Sequence, residues 1–251
     1  MSRILLIPIA IMLLLGAGSA RAADDGIDWL VAPYGWLPDI SLTQSVPGDD
    51  GGDISGSDLL EKTDAAGMIR IEAAKNRWGV MLDYIFLALS DSTTLSLPGP
   101  SETPVNIDAE LDLSVLEAGG VYRLSGAETG AHLLFGYRGI RAETTLLVTP
   151  GNQVTQRVDT DETLADVFFG ARYLYRHGNW DVTVRGDYSV GESDGVLNLL
   201  GSVGYRFPGP FALQAGYRHA VLEYEATTGE GEPNPTELEL SGPFLGFVFR
   251  F

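Results

Sequence analysis

The sequence predicts an all-β fold, a transmembrane antiparallel up-and-down β-barrel of about ten strands, with eight or twelve as alternatives. Three observations lead there. The chain ends on SGPFLGFVFRF, where Pro243, Leu245, Phe247, Phe249 and Phe251 alternate with Gly242, Phe244, Gly246, Val248 and Arg250. Successive strand residues point to opposite faces, so one face is continuously apolar and the other is small or polar apart from Phe244 and Val248. In water such a terminal strand would be a sticky edge; in a barrel it closes the sheet with its apolar face on lipid. The second observation is a series of strand-period segments joined by alternating long and tight connections. The third is a set of aromatic residues that recur at the tight-turn ends.

The elements follow in chain order. Residues 1–22 carry one early positive charge (Arg3), an apolar run from Ile4 to Leu15 and a small-x-small site at Ala20-Arg21-Ala22. That run is shorter than the ~20 residues of a spanning helix, so it reads as a secretory signal peptide. Residues 23–251 then form one barrel domain, a size routine for all-β barrels. The first strand, Ile27–Leu42, holds WLVAPYGWLP. Pro33 and Pro38 cannot donate ladder hydrogen bonds, so they predict interruptions where the first and last strands meet.

Further strands are predicted at Ala66–Lys75, Trp78–Ser90, Asp108–Leu124, Ala131–Val148, Thr163–Arg176, Trp180–Val190, Val196–Phe207, Phe211–Glu225 and Thr236–Phe251. No segment of helical period competes with them. Alternation is cleanest in the seventh, where Trp180, Val182, Val184, Gly186, Tyr188 and Val190 oppose Asp181, Thr183, Arg185, Asp187 and Ser189. In the fourth, Glu110, Asp112 and Ser114 share a face with Leu116 and Tyr122, so a bulge is expected to restore the phase. Long connections fall at 43–65, 91–107, 149–162 and 226–235, with a shorter one at 191–195. Tight turns fall at 76–77, 125–130, 177–179 and 208–210. Both chain ends then lie on the tight-turn side, which requires an even strand count.

Trp29, Trp78, Trp180 and Phe211 stand at strand starts, and Tyr122, Tyr175, Phe207 and Phe251 at strand ends, all at one height. That is the pattern of an interface girdle. On these residues, and on the aromatic-terminated last strand, the chain resembles the small outer-membrane β-barrel proteins of Gram-negative bacteria. The resemblance implies an outer-membrane location after export, with lipid and lipopolysaccharide as neighbours. It also implies that Pro243, Leu245, Phe247, Phe249 and Phe251 form an assembly signal presented to the barrel-assembly machinery.

With the lipid face set by the aromatics, charged residues fall on the other face: Arg70, Glu72, Asp83, Glu117, Arg123, Arg138, Asp166, Arg172, Arg176, Arg185, Asp187, Arg206, Arg218 and Arg250. An Arg or Lys on the lipid face costs roughly 2–4 kcal/mol at mid-depth, so inward is the inexpensive direction. Two readings of that lumen stand: a packed ionic plug, or a narrow, porin-like, anion-preferring pore for small solutes, since Arg outnumbers acid.

The net charge of −18 argues against a nucleic-acid partner, which selects a basic surface. The chain has no Cys and so no disulfide framework. The acidic stretch 43–65 (Asp49, Asp50, Asp53, Asp58, Glu61, Asp64) offers oxygen ligands for Ca²⁺, but its spacing matches no defined calcium loop, and no metal or cofactor is assigned. Among the His residues, His177 and His132 lie at the tight-turn end and His219 lies on the outward face of the ninth strand. Asp83, Asp91 or Glu223 would reach His219 only after a register shift, and no nucleophile is evident at its height. The chain is therefore read as a non-enzymatic barrel, structural, adhesive or a narrow pore. The alternative is a barrel hydrolase, acting on protein or lipid, with His219 near the outer rim.

Overall fold

Residues 26–44, 52–54, 63–97, 103–125, 129–150, 155–227 and 233–251 are described by the structure, a computed structural model. Their strands are β1 (Asp28–Trp36), β2 (Asp39–Gln44), β3 (Gly52–Ile54), β4 (Thr63–Lys75), β5 (Trp78–Leu97), β6 (Thr103–Arg123), β7 (Gly130–Pro150), β8 (Gln156–His177), β9 (Trp180–Gly191), β10 (Gly195–Arg206), β11 (Phe211–Thr227) and β12 (Pro233–Arg250). From β4 to β12 each strand pairs antiparallel with the next. β1 pairs with both β4 and β12 and closes a barrel of ten strands. The predicted signal segment and Asp49, Asp50, Asp58 and Glu61 of the acidic stretch lie outside the described residues.

The first strand is split at Leu37 and Pro38. β2 continues beside β12 in the register of β1: Trp36 faces Phe244 below the break and Asp39 faces Ser241 above it. Leu37 keeps the seam closed by donating its N–H to the Pro243 carbonyl at 3.0 Å. Pro33 likewise drops out of the β12 ladder, between the Val31–Phe249 and Tyr34–Gly246 pairs. Both prolines interrupt the closing seam, as their missing N–H requires. The approach is tight enough that a Cβ on Gly242 would lie 1.9 Å from the Leu37 carbonyl oxygen. Above the break β2 turns away from β4 and pairs with the short β3, which the sequence did not signal.

Two further expectations are corrected. The connections drawn at 91–107 and 149–162 are largely paired strand, because β5 to β8 run for 20, 21, 21 and 22 residues. No bulge occurs in β6, whose pairing with β5 and β7 runs without a register shift. Height explains the polar residues instead. Strands rising about 3.3 Å per residue with a tilt of about 40° cross a 25 Å apolar band in about ten residues. Counted up from Tyr122, that distance ends near Asp112. Glu110 and Asp112 therefore face outward into water, above the hydrocarbon, and both are exposed. Beyond the band, Arg141 pairs with Glu143 and Asp161, and Arg157 with Asp159. Hydrogen bonds from Arg157 and then Thr145 hold the Asp159 carboxyl below its ordinary range.

Within the band the outer face is apolar. Val80, Leu82, Tyr84, Leu116, Phe135, Tyr137, Val167, Phe169, Val184 and Tyr188 are all exposed, Phe169 at 69 %. So large an apolar surface on a soluble monomer would drive aggregation, whereas lipid solvates it without cost. At the tight-turn end aromatic contacts run across several strands. Trp180 meets Tyr205 at 5.0 Å, Tyr205 meets Phe207 at 5.1 Å, and Phe207 stacks on Phe211 at 5.2 Å. Phe211 in turn contacts Phe247, and Trp78 packs on Tyr122.

Candidate functional site: a charge-balanced layer across the lumen

Inward-facing positions of β6 to β11 bring six charged residues to one level. Glu117 of β6 receives Arg138 of β7 at 2.8 Å, Arg185 of β9 at 2.7 Å and Arg218 of β11 at 3.4 Å. Asp187 of β9 accepts from Arg138, from Arg185 Nε at 2.7 Å and from Asn198 Nδ2 at 2.8 Å. Asn198 passes the link on by accepting from Arg218 Nε at 2.7 Å. On the other flank, Arg138 donates to the Ser189 hydroxyl at 3.0 Å. Ser189 donates to Asp166 at 3.0 Å, and Asp166 also takes the Ser193 hydroxyl at 2.6 Å. Glu117 is 1 % exposed and Arg138 2 %.

Three guanidiniums (Arg138, Arg185, Arg218) thus balance three carboxylates (Glu117, Asp166, Asp187) in one network. A buried ion is tolerable only when its charge and its hydrogen-bonding groups are both satisfied, and here both conditions are met. The Phe168 ring lies under Arg138 and Arg185 at 5.5 and 5.9 Å, and the Trp36 ring under Arg218 at 5.0 Å, which adds a cation–π component.

Small residues make room for these side chains. Gly170 of β8 faces inward beside Asp187, and a Cβ there would sit 2.3 Å from the Asp187 Cβ. Gly170→Val is expected to lower stability by about 1–3 kcal/mol through overpacking. The check is the urea midpoint of the detergent-folded protein, and an unchanged midpoint would mean that this contact is slack.

Above the ionic layer the lumen is apolar. Ile140, Val196 and Leu222 are buried together, with Leu113, Val115, Leu164, Tyr224 and Leu238 against them. Below it, a second charged group joins Arg172 to Glu72 through two bonds of 2.5 and 2.9 Å. Arg70 reaches Glu72 at 2.9 Å, and Tyr34 donates to Asp83 at 2.8 Å. His132, placed by sequence only at the tight-turn end, proves to be buried in the lumen 3.2 Å from Arg172. Arg123, Arg176, Arg206 and Arg250 sit lower still, at the mouth on the tight-turn side. The charges assigned inward by sequence divide by height into the neutral layer, the group of Arg70, Glu72, Asp83 and Arg172, and an Arg-rich mouth. Sequence gives parity along one strand, not relative height between strands, so the division was not legible there.

His219 faces outward on β11, as its parity indicated. Directly across the ladder stands Ser241, which the sequence reading passed over. His219 Nδ1 lies 2.5 Å from the Ser241 hydroxyl and 3.4 Å from Glu239. Ser241 donates to Glu239 at 3.0 Å. Of the three acids weighed as partners for His219, Asp83 is buried in the lumen and Glu223 pairs with Glu237; the side chain of Asp91 lies outside the described residues.

No protein-family model and no curated protein matches this sequence. Solved structures do match in shape. The outer membrane protease OmpT from Escherichia coli aligns at TM-score 0.52 and 9 % identity, over 91 % of this chain and 98 % of that one. The translocator domain of the autotransporter NalP from Neisseria meningitidis aligns at TM-score 0.44 and 12 % identity, over 97 % and 95 %. Ail, the attachment invasion locus protein of Yersinia pestis, aligns at 0.39 and 12 %, over 90 % and 99 %. At 9 % identity the likeness to OmpT establishes fold alone: the chain has the architecture of small outer-membrane β-barrel proteins.

Proposed function

We propose that this protein is a sealed, non-enzymatic barrel of a Gram-negative outer membrane. In this reading it is exported by its signal segment and inserted by assembly machinery that reads the strand ending in Phe251. It is a rigid anchor, set in lipid and lipopolysaccharide, that holds up the water-exposed extensions of β5 to β8 in a structural or adhesive role. The observation that carries the reading is the buried, charge-balanced layer of Glu117, Arg138, Arg185, Asp187, Asp166 and Arg218, capped by the Ile140–Val196–Leu222 cluster. A pore requires a continuous wet path, and both layers lie across it. Purified protein added to planar lipid bilayers is expected to give no unit conductance at any salt concentration. Reproducible single-channel steps would replace this reading with the pore.

A second reading rests on the outward contact between His219 and Ser241. A hydrolase would use the His to take the Ser proton. In this geometry the Ser241 proton points to Glu239, and both oxygens lie on the Nδ1 side of the ring. The ladder between β11 and β12 also ties up the backbone N–H groups that would stabilise an oxyanion. His219→Ala is accordingly expected to leave phospholipid and peptide turnover at the background of the wild-type protein. Turnover by the wild type that the variant abolishes would establish the hydrolase.

A further inference from the structure

Beneath the ionic layer the lumen widens into a cavity of about 480 Å³ that opens at the tight-turn side. Its floor is the Asp83 and Arg218 level, and its rim carries Arg123, Arg176, Arg206 and Arg250. Three of these guanidiniums share one carboxylate. Arg176 holds Asp181 at 2.8 Å, leaving Arg250 and Arg206 at 3.3 and 3.5 Å from the same group. The Nε of Arg206 is buried and makes no hydrogen bond, its nearest carboxylate oxygen lying 3.5 Å away, and the Nη2 of Arg70 higher in the cavity is buried without one too. The wall formed by β12 and β1 is apolar, through Leu30, Ala32 and Val248. The charge excess noticed in the sequence therefore gathers at the rim of a blind cup, not along a path through the membrane.

We propose that this cup binds a small organic anion carrying a phosphate or carboxylate group. The acid group sits between Arg206 and Arg250, and the apolar body lies against Leu30, Ala32 and Val248. Guanidinium donors that are partly desolvated and short of acceptors bind oxyanions through charge-assisted hydrogen bonds. A cavity with one basic end and one apolar wall selects amphipathic anions over bare ones. That the ligand comes from the periplasm rests on the outer-membrane reading above; the site itself does not.

The test is calorimetry on the protein in lipid nanodiscs, with phenyl phosphate as probe. Inorganic phosphate supplies the acid group without the apolar body, and benzyl alcohol the apolar body without the acid. Phenyl phosphate is expected to bind, inorganic phosphate about tenfold more weakly, and benzyl alcohol not measurably. Arg206→Gln and Arg250→Gln are each expected to weaken phenyl phosphate about tenfold, and Arg141→Gln on the outer side not at all. Val248→Trp, which puts an indole into the apolar half of the cup and leaves every arginine in place, is expected to weaken phenyl phosphate at least about tenfold, so the test survives misfolding of an arginine variant. Absence of heat with phenyl phosphate, equal affinity for inorganic phosphate, or binding unchanged in Val248→Trp would each overturn the site. A barrel that conducts ions yet passes these tests would remove the sealed-lumen reading and leave the site standing.

Discussion

Glu117→Gln is expected to destabilise the folded barrel by about 3–5 kcal/mol, the cost of leaving buried charge without its partner. The wild-type carboxylate accepts from Arg138 on one oxygen and Arg185 on the other, with Arg218 behind. The amide keeps the shape but not the charge, and its NH₂ points donors at donors. Arg138 and Arg185 then keep only Asp187 as a carboxylate partner, so excess positive charge stays in a region closed to water. The measurement is urea unfolding in detergent micelles, supported by heat-modifiable migration on gels. Glu143→Gln is the comparison: its pair with Arg141 is solvent-exposed, and such pairs contribute about 0–1 kcal/mol. If the two variants lost equal stability, the lumen layer would not be what holds the barrel together.

Val184→Arg is expected to cost about 2–4 kcal/mol, because it puts a guanidinium into hydrocarbon near mid-depth. Val184 is 58 % exposed on the outer face of β9, where it pairs with Gly201 and Tyr173. In a soluble protein a cation at so exposed a position would be nearly neutral. The same substitution one residue away, Thr183→Arg, enters the wall of the wide lower lumen and is expected to cost less. The difference between neighbouring positions separates lipid from water as the outer solvent. Equal and small costs at both would contradict a membrane-spanning strand.

How far the sequence revealed the structure depended on which interactions carry the signal. Strand parity needs only a residue and its next neighbours, so the lipid face of β9 and the lumen face of Arg138, Arg185 and Arg218 were legible. The same holds for Pro33 and Pro38, whose missing N–H groups act locally. Where each strand leaves the membrane was not legible, because Glu110 and Asp112 keep the parity of Leu116 and change only their surroundings. That is why a bulge was expected and a tall, unshifted β6 found. The site was half legible for a related reason. The charged residues could be assigned to the lumen, but the meeting of Glu117 with three guanidiniums depends on registers set across β6 to β11. The contact of His219 with Ser241 was missed on the same ground: the pair is separated by 22 positions and joined only by the β11–β12 register.

The central claim, a lipid-facing exterior around a sealed lumen, is tested most directly by spin labels placed one at a time along β9. The chain has no cysteine, so single cysteines at 181, 182, 183, 184, 186, 188 and 190 can each be labelled without background. Collisions with oxygen report lipid, and collisions with a water-soluble nickel chelate report water. In liposomes the labels at 182, 184, 186 and 188 are expected to be oxygen-accessible and shielded from nickel. Those at 181 and 183 should meet nickel from the tight-turn side only. Nickel access at every position, or from both sides of the membrane at 183, would contradict the barrel described here.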